Sequence, residues 1–137
     1  MEPLTMLERL LDSVILIDHF NDIPKATTFI ASLDPGRTAI SVITYTEILV
    51  GFEDETAEKA KTLLNEYEVL GIDTPIAEKA AEMRRRYGWK LLDAFQAAIA
   101  LHHHLRFCTR NTKDFDPKKH SFVEIPYKLK PLVGRTQ

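Results

Sequence analysis

The chain reads as an α/β protein: a three-layer domain with a central parallel sheet flanked by helices. Two observations predict this. Short apolar runs of strand length alternate along the chain with segments of helical periodicity, which is the pattern of a parallel sheet with helices on its faces. One segment, Leu91 to Leu101, is nearly apolar all round, as a central helix should be. The 137 residues are taken as a single domain, 1–137, large enough to bury roughly two-thirds of its unfolded surface.

The elements follow in order. Leu10 to Ile17 is apolar except at Asp12 and Ser13, and fits a buried strand, a short helix, or a strand turning into a helix that Ser13 could cap. Pro24 to Leu33 has helical spacing, with proline near its start where it is tolerated. Asp34-Pro-Gly is a turn. Thr38 to Ser41 is a strand, and Thr44 to Gly51 a helix. Thr56 to Glu66 is a charged amphipathic helix, and Val69 to Ile72 a strand. Asp73-Thr-Pro turns the chain into a helix from Ile76 to Tyr87, which Gly88 ends. After the central helix, Leu91 to His104, come strands at Arg106–Thr109 and Val123–Ile125. In open parallel sheets, sites form beyond the carboxyl ends of the strands.

Composition narrows the function classes. Apolar residues make up 45% and charged residues 28%, as in an ordinary globular protein. The single cysteine, Cys108, excludes an intrachain disulfide and a multi-cysteine zinc site, and its apolar setting predicts a buried, inert thiol. No leader-like segment or membrane-length apolar run is visible, so the cytoplasm is the expected address and no membrane partner is expected. The net charge is only −2, but it is unevenly spread. Bases gather at Lys79–Lys90 and in the tail at Lys118, Lys119, Lys128, Lys130 and Arg135, while acids gather at Glu53–Glu68. Such separation can steer a polyanion to one face; it also suits solvated helix faces and a loose tail.

Four acids stand out: Asp12 in LLDSVILID, Glu47 in SVITYTEILVG, Asp93 in KLLDAFQAAIAL and Asp114 in CTRNTKDF. A carboxylate among apolar residues is costly unless its charge is offset. A divalent cation is the usual means of holding several together. Taken singly, each acid has a plainer reading. Asp12 and Asp93 could cap helices, Glu47 could be solvated, and Asp114 could be a turn residue.

In this order and at these separations, the four motifs resemble the PIN-domain ribonucleases, and among them the VapC-type toxins of toxin–antitoxin pairs. The resemblance runs from about Leu10 to Tyr127. Each motif alone is weak; the ordered set is specific. It places the family's acids on Asp12, Glu47, Asp93 and Asp114, and its polar helpers on Ser13, Thr109 and Asn111. Asp18 matches a position that is often acidic in such toxins. Val14 departs from a small polar residue that is common there, which touches a supporting hydrogen bond and no main carboxylate. Several residues precede the first motif and are read as peripheral.

The resemblance implies an Mg²⁺- or Mn²⁺-dependent endoribonuclease. Hard cations take oxygen ligands, and four acids suit one ion directly and through water, or two ions. Asp12 and Asp93 are the strongest ligand candidates. Asp114 would hold a second ion or a bridging water, and Glu47 would ligate through water or orient the nucleophile. Asn111 or Thr109 would position water or phosphate. Asp18, if it lies on a helix, is nearly two turns from Asp12, at the mouth of the site or paired with a base.

Arg84, Arg85, Arg86, Lys90 and Arg110 are the candidate RNA contacts. Tyr87 and Trp89 suit core and rim positions, or stacking on bases. His102, His103 and His104 cannot converge on one ion from successive helical positions. The resemblance further implies an antitoxin partner, and a homodimer for which Pro24–Leu33 and Thr44–Gly51 could supply the interface. Two alternatives are a PIN nuclease of RNA processing and an inactive binding module.

Overall fold

Strand alternation sorts the core into two halves. In a strand, successive side chains point to opposite faces. Leu10, Ala39 and Phe107 accordingly pack on one side of the sheet, and Leu11, Ile40 and Cys108 on the other. The computed structural model describes residues 6–130, so Arg135 of the basic tail lies outside the described residues. Five strands form one sheet: β1 (Arg9–Leu11), β2 (Thr38–Ser41), β3 (Glu68–Leu70), β4 (Arg106–Cys108) and β5 (Val123–Glu124). Their order is β3-β2-β1-β4-β5, and every pairing is parallel.

Among the described residues, six α-helices cover the sheet: α1 (Ser13–Phe20), α2 (Pro24–Ala31), α3 (Val42–Val50), α4 (Asp54–Leu64), α5 (Thr74–Tyr87) and α6 (Leu91–His102). Leu16 of α1, Ile48 of α3, and Ala60 and Leu64 of α4 pack on the Leu11 face, with Phe29 and Ile30 of α2 against them. Ile76, Ala80 and Met83 of α5 and the alanines of α6 pack on the Leu10 face. The result is three layers, as the alternating sequence requires. Each large apolar side chain fully buried here contributes roughly 1.5–3 kcal/mol.

Local chemistry sets the helix boundaries. Ser41 Oγ accepts from the Thr44 amide at 3.1 Å and caps α3. Asp73 caps α5 through the Ile76 amide at 3.1 Å. Gly88, at φ 72°, ends α5 in the left-handed region and turns the chain toward Trp89. The strand-to-helix reading of Leu10–Ile17 is the one adopted, with a correction. Ser13 does not cap α1. Asp12 occupies the cap position without a side-chain capping bond, and Ser13 is the first helical residue.

The sheet order creates a crevice. From β1 the chain moves to β2 and β3 on one side, and later returns to β4 and β5 on the other. The carboxyl end of β1, beside that of β4, is therefore the topological switch point, where open α/β sheets bind ligands.

Candidate active site

Asp12 follows β1 directly, and Thr109 follows β4. Parallel pairing sets Leu11 against Cys108, so the two exits lie side by side. The Asp12 amide donates to the Cys108 carbonyl at 2.9 Å, and Thr109 Oγ1 donates to Asp12 Oδ2 at 2.7 Å. Asp12 is thus anchored by the switch point itself.

A cleft of about 290 Å³ opens here, lined by Asp12, Ser13, Val14, Ile17, Glu47, Leu92, Asp93, Gln96 and Asn111. Three of the four acids meet in it. Glu47 comes from the outer half of α3, and its Oε1 accepts from Ser13 Oγ at 2.5 Å. Asp93 comes from the first turn of α6. Asp114 stands behind the wall: its Oδ2 accepts from Asn111 Nδ2 at 3.0 Å, and its amide donates back to Asn111 Oδ1 at 3.3 Å. Asn111 in turn donates its amide to Thr109 Oγ1 at 3.1 Å. The loop after β4 therefore reaches Asp12 and Asp114 with one set of hydrogen bonds.

The acids feel one another. The Asp12 carboxyl is pushed up to about 6 by burial and by the charges of Asp93 and Glu47, against the Thr109 hydrogen bond and the Ser13 amide. Asp93 is also raised, by burial and by the charges of Asp114 and Glu47, while Lys90 acts to lower it. Among the described residues, no three acidic, histidine or cysteine side chains form a ready-made metal cage. The donors nonetheless fit a hard cation. They are carboxylate oxygens under mutual repulsion, and Mg²⁺ needs only one or two of them, with waters completing its shell.

Other expected residues lie elsewhere. Asp18 is buried and takes a bidentate pair of bonds from Arg110 at 2.6 and 2.8 Å, plus one from the Tyr127 hydroxyl at 2.7 Å. Burial works to raise its pKa, but the bonds from Arg110 and Tyr127 outweigh it and hold the carboxyl low. Asp18 is thus the partner of a base and does not line the acidic cleft. Arg110, expected at phosphate, has its guanidinium bound to Asp18. Arg84 donates to the Trp89 carbonyl, and Arg86 lies 5.5 Å over the Tyr87 ring. Arg85 is exposed, and Lys90 is the base whose charge reaches Asp93.

Trp89 is a core residue. It stacks on Tyr87 at 4.6 Å between ring centres and donates its indole N–H to the Asp114 carbonyl at 3.0 Å. Two polar residues escaped the sequence reading, Thr44 and Gln96, both buried, with Gln96 in the lining of the cleft. Their spacing carried the signal. Thr44 precedes Glu47 by three and Gln96 follows Asp93 by three, so each shares a helix face with an acid.

A model of the PIN domain matches residues 9–119. The chain belongs to the PIN-domain family. Among solved structures, this PIN domain is similar to a chain of a toxin–antitoxin complex from Klebsiella pneumoniae. That chain is 34% identical with a TM-score of 0.83, over 89% of this chain and 100% of that one. A chain of DNA-bound VapBC from Salmonella typhimurium is 24% identical with a TM-score of 0.69, over 81% and 92%. A chain of FitAcB from Neisseria gonorrhoeae is 22% identical with a TM-score of 0.73, over 88% and 99%. The last two likenesses concern the fold alone. No curated protein matches the chain. Among the described residues, no helix of the domain is long and apolar enough to cross a membrane.

Proposed function

We propose that this PIN domain is a divalent-metal-dependent endoribonuclease and the toxic component of a type II toxin–antitoxin pair. The observation that carries the reading is the meeting of Asp12, Glu47 and Asp93 in one cleft at the sheet's switch point. A bound Mg²⁺ or Mn²⁺ supplies an activated water and offsets charge on the phosphoryl oxygens. Asp12 and Asp93 would hold it, supported by Asp114 through Asn111. Glu47 would ligate the ion through water and so orient the nucleophile. Thr109 fixes the Asp12 carboxylate, and Asn111 presents its amide group to water or phosphate.

Attack in line breaks the bond from phosphorus to the 3′ oxygen, leaving a 5′-phosphate and a 3′-hydroxyl. Lys90 meets the RNA backbone at the cleft. Arg84, Arg85 and Arg86 add a positive field along the adjoining turn of α5.

The toxin reading draws on the 34% identical relative from a toxin–antitoxin complex. A partner chain of antitoxin type would cover the cleft, whose mouth carries the exposed apolar residues Ile17 and Leu92. The domain itself pairs as a homodimer. Expression of the chain alone should arrest growth, and co-expression of a short adjacent gene should relieve the arrest. Equal growth of cells expressing wild type and Asp93→Asn contradicts the toxin reading.

A further inference from the structure

In the wall of the acidic cleft runs a line of polar groups that ends on Glu47, and the proposed chemistry uses only that last member. Gln96 Nε2 donates to Thr44 Oγ1 at 2.8 Å, Thr44 Oγ1 lies 2.9 Å from Ser13 Oγ, and Ser13 Oγ donates to Glu47 Oε1 at 2.5 Å. Gln96, Thr44 and Ser13 are buried at 2%, 0% and 6% exposure, whereas Glu47 is exposed.

The proton directions follow from the chemistry of each group. An ionised carboxylate only accepts, so the Ser13 proton goes to Glu47. Ser13 then meets Thr44 with a lone pair, and the Thr44 hydroxyl must donate to it. Thr44 accepts from the Gln96 amide nitrogen, which can only donate. Every donor points the same way, from the core of α6 to the rim of the cleft. Aligned hydrogen bonds polarise one another in a low-dielectric interior. They also restrain a long side chain that would otherwise sample several rotamers.

One further observation separates this line from ordinary core packing. Among the described residues, Gln96 Oε1 is the buried side-chain polar atom without a hydrogen-bond partner. Within the described residues, the Gln96 side chain bonds Thr44 and nothing else. What it supplies is the N–H at Thr44.

We propose that Gln96 and Thr44 are positioning residues, forming a relay through Ser13 that holds the Glu47 carboxylate in its working orientation. The inference rests on the nuclease reading, because Glu47 is the group the relay serves.

The test measures kcat and KM on an RNA oligonucleotide, melting temperature, and Mn²⁺ affinity by calorimetry. The proteins are wild type, Gln96→Met, Thr44→Val, Thr44→Ser, Glu47→Gln and the Thr44→Val/Glu47→Gln double variant. Gln96→Met and Thr44→Val should each lower kcat about tenfold or more, the scale of a misplaced reacting group. KM should stay within about twofold. Thr44→Ser, which keeps the hydroxyl, should retain most of the rate. Gln96→Met should melt at or above the wild-type temperature, dissociating function from stability. In the Glu47→Gln background, Thr44→Val should cost nothing further. An unchanged kcat in Gln96→Met and Thr44→Val overturns the relay, and so does an equal loss from Thr44→Val in both backgrounds. A wild-type chain that cleaves no RNA fails the nuclease reading separately. Mn²⁺ affinity then decides the relay: it stands if Thr44→Val weakens binding as Glu47→Gln does with no added loss in the double variant, and falls if affinity is unchanged.

Discussion

At the scale of single residues, Asp12 concentrates the conflict that defines the cleft. Its carboxyl rises from the ordinary 3.8 to about 6, with burial as the leading cause. A carboxyl raised by folding contributes stability below its unfolded value and loses it as pH climbs through its folded value. The metal-free protein should therefore melt at falling temperature between about pH 4 and about pH 7, and Asp93 adds to the trend. Asp12→Asn should flatten this slope in a pH series of melting curves. An unchanged slope would mean that Asp12 is not strained. Asp18 behaves oppositely: its lowered pKa makes its contribution present near neutrality and lost as pH falls below the carboxylate range. The acids were legible in the sequence because carboxylates in apolar runs are conspicuous. Gln96 and Thr44 were not, since a lone amide or hydroxyl in a helix gives no sign of a partner far away along the chain.

At the scale of elements, the turn from α5 to α6 sets where Lys90 and Asp93 stand. Gly88 holds φ 72° there, a conformation that costs a residue with a Cβ about 1–2 kcal/mol. Gly88→Ala should lose about that much in urea denaturation. A loss near zero would show that the turn relaxes. The loop after β4 is secured from its other side by Asp18, Arg110 and Tyr127. Arg110→Ala leaves a buried carboxylate short of its cation. It should cost about 2 kcal/mol or more, discounted from the fully buried case because Arg110 is 34% exposed. Urea denaturation checks it, and a wild-type midpoint would contradict the structural role.

Element identity was readable, as β2 falls on the expected Thr38–Ser41 and α6 on the expected apolar run. Boundaries were less so. Helix α3 begins at Val42 rather than Thr44 because Ser41 caps it, and α4 ends at Leu64 rather than Glu66. The Arg110–Asp18 pair was not legible for a physical reason. Sequence shows the nearness of Arg110 to the fourth acid, Asp114, while the acid it bonds lies 92 positions earlier on α1.

At the scale of the whole molecule, sheet order explains why acids from the end of β1, α3, α6 and the loop after β4 gather at one edge. Sequence suggested a carboxyl-end site, but the reversal of strand order that places it between β1 and β4 is a long-range property. Lys90 sits at that edge beside Asp93, while the acidic α4 packs on the opposite half of the core. Binding of single-stranded RNA should therefore weaken with added salt. If Lys90 neutralises one phosphate, Lys90→Ala should make the salt slope shallower by about 0.7. Fluorescence anisotropy across a salt series measures this, and an unaltered slope removes Lys90 from the RNA path.

The most direct measurement is the cleavage rate of end-labelled RNA by wild type and Asp12→Asn across a Mn²⁺ titration, with excess EDTA as the zero point. The account predicts cleavage that rises with Mn²⁺, 5′-phosphate ends, and a loss of about a hundredfold or more in Asp12→Asn. Full activity in EDTA, or an Asp12→Asn variant as fast as wild type, would contradict it.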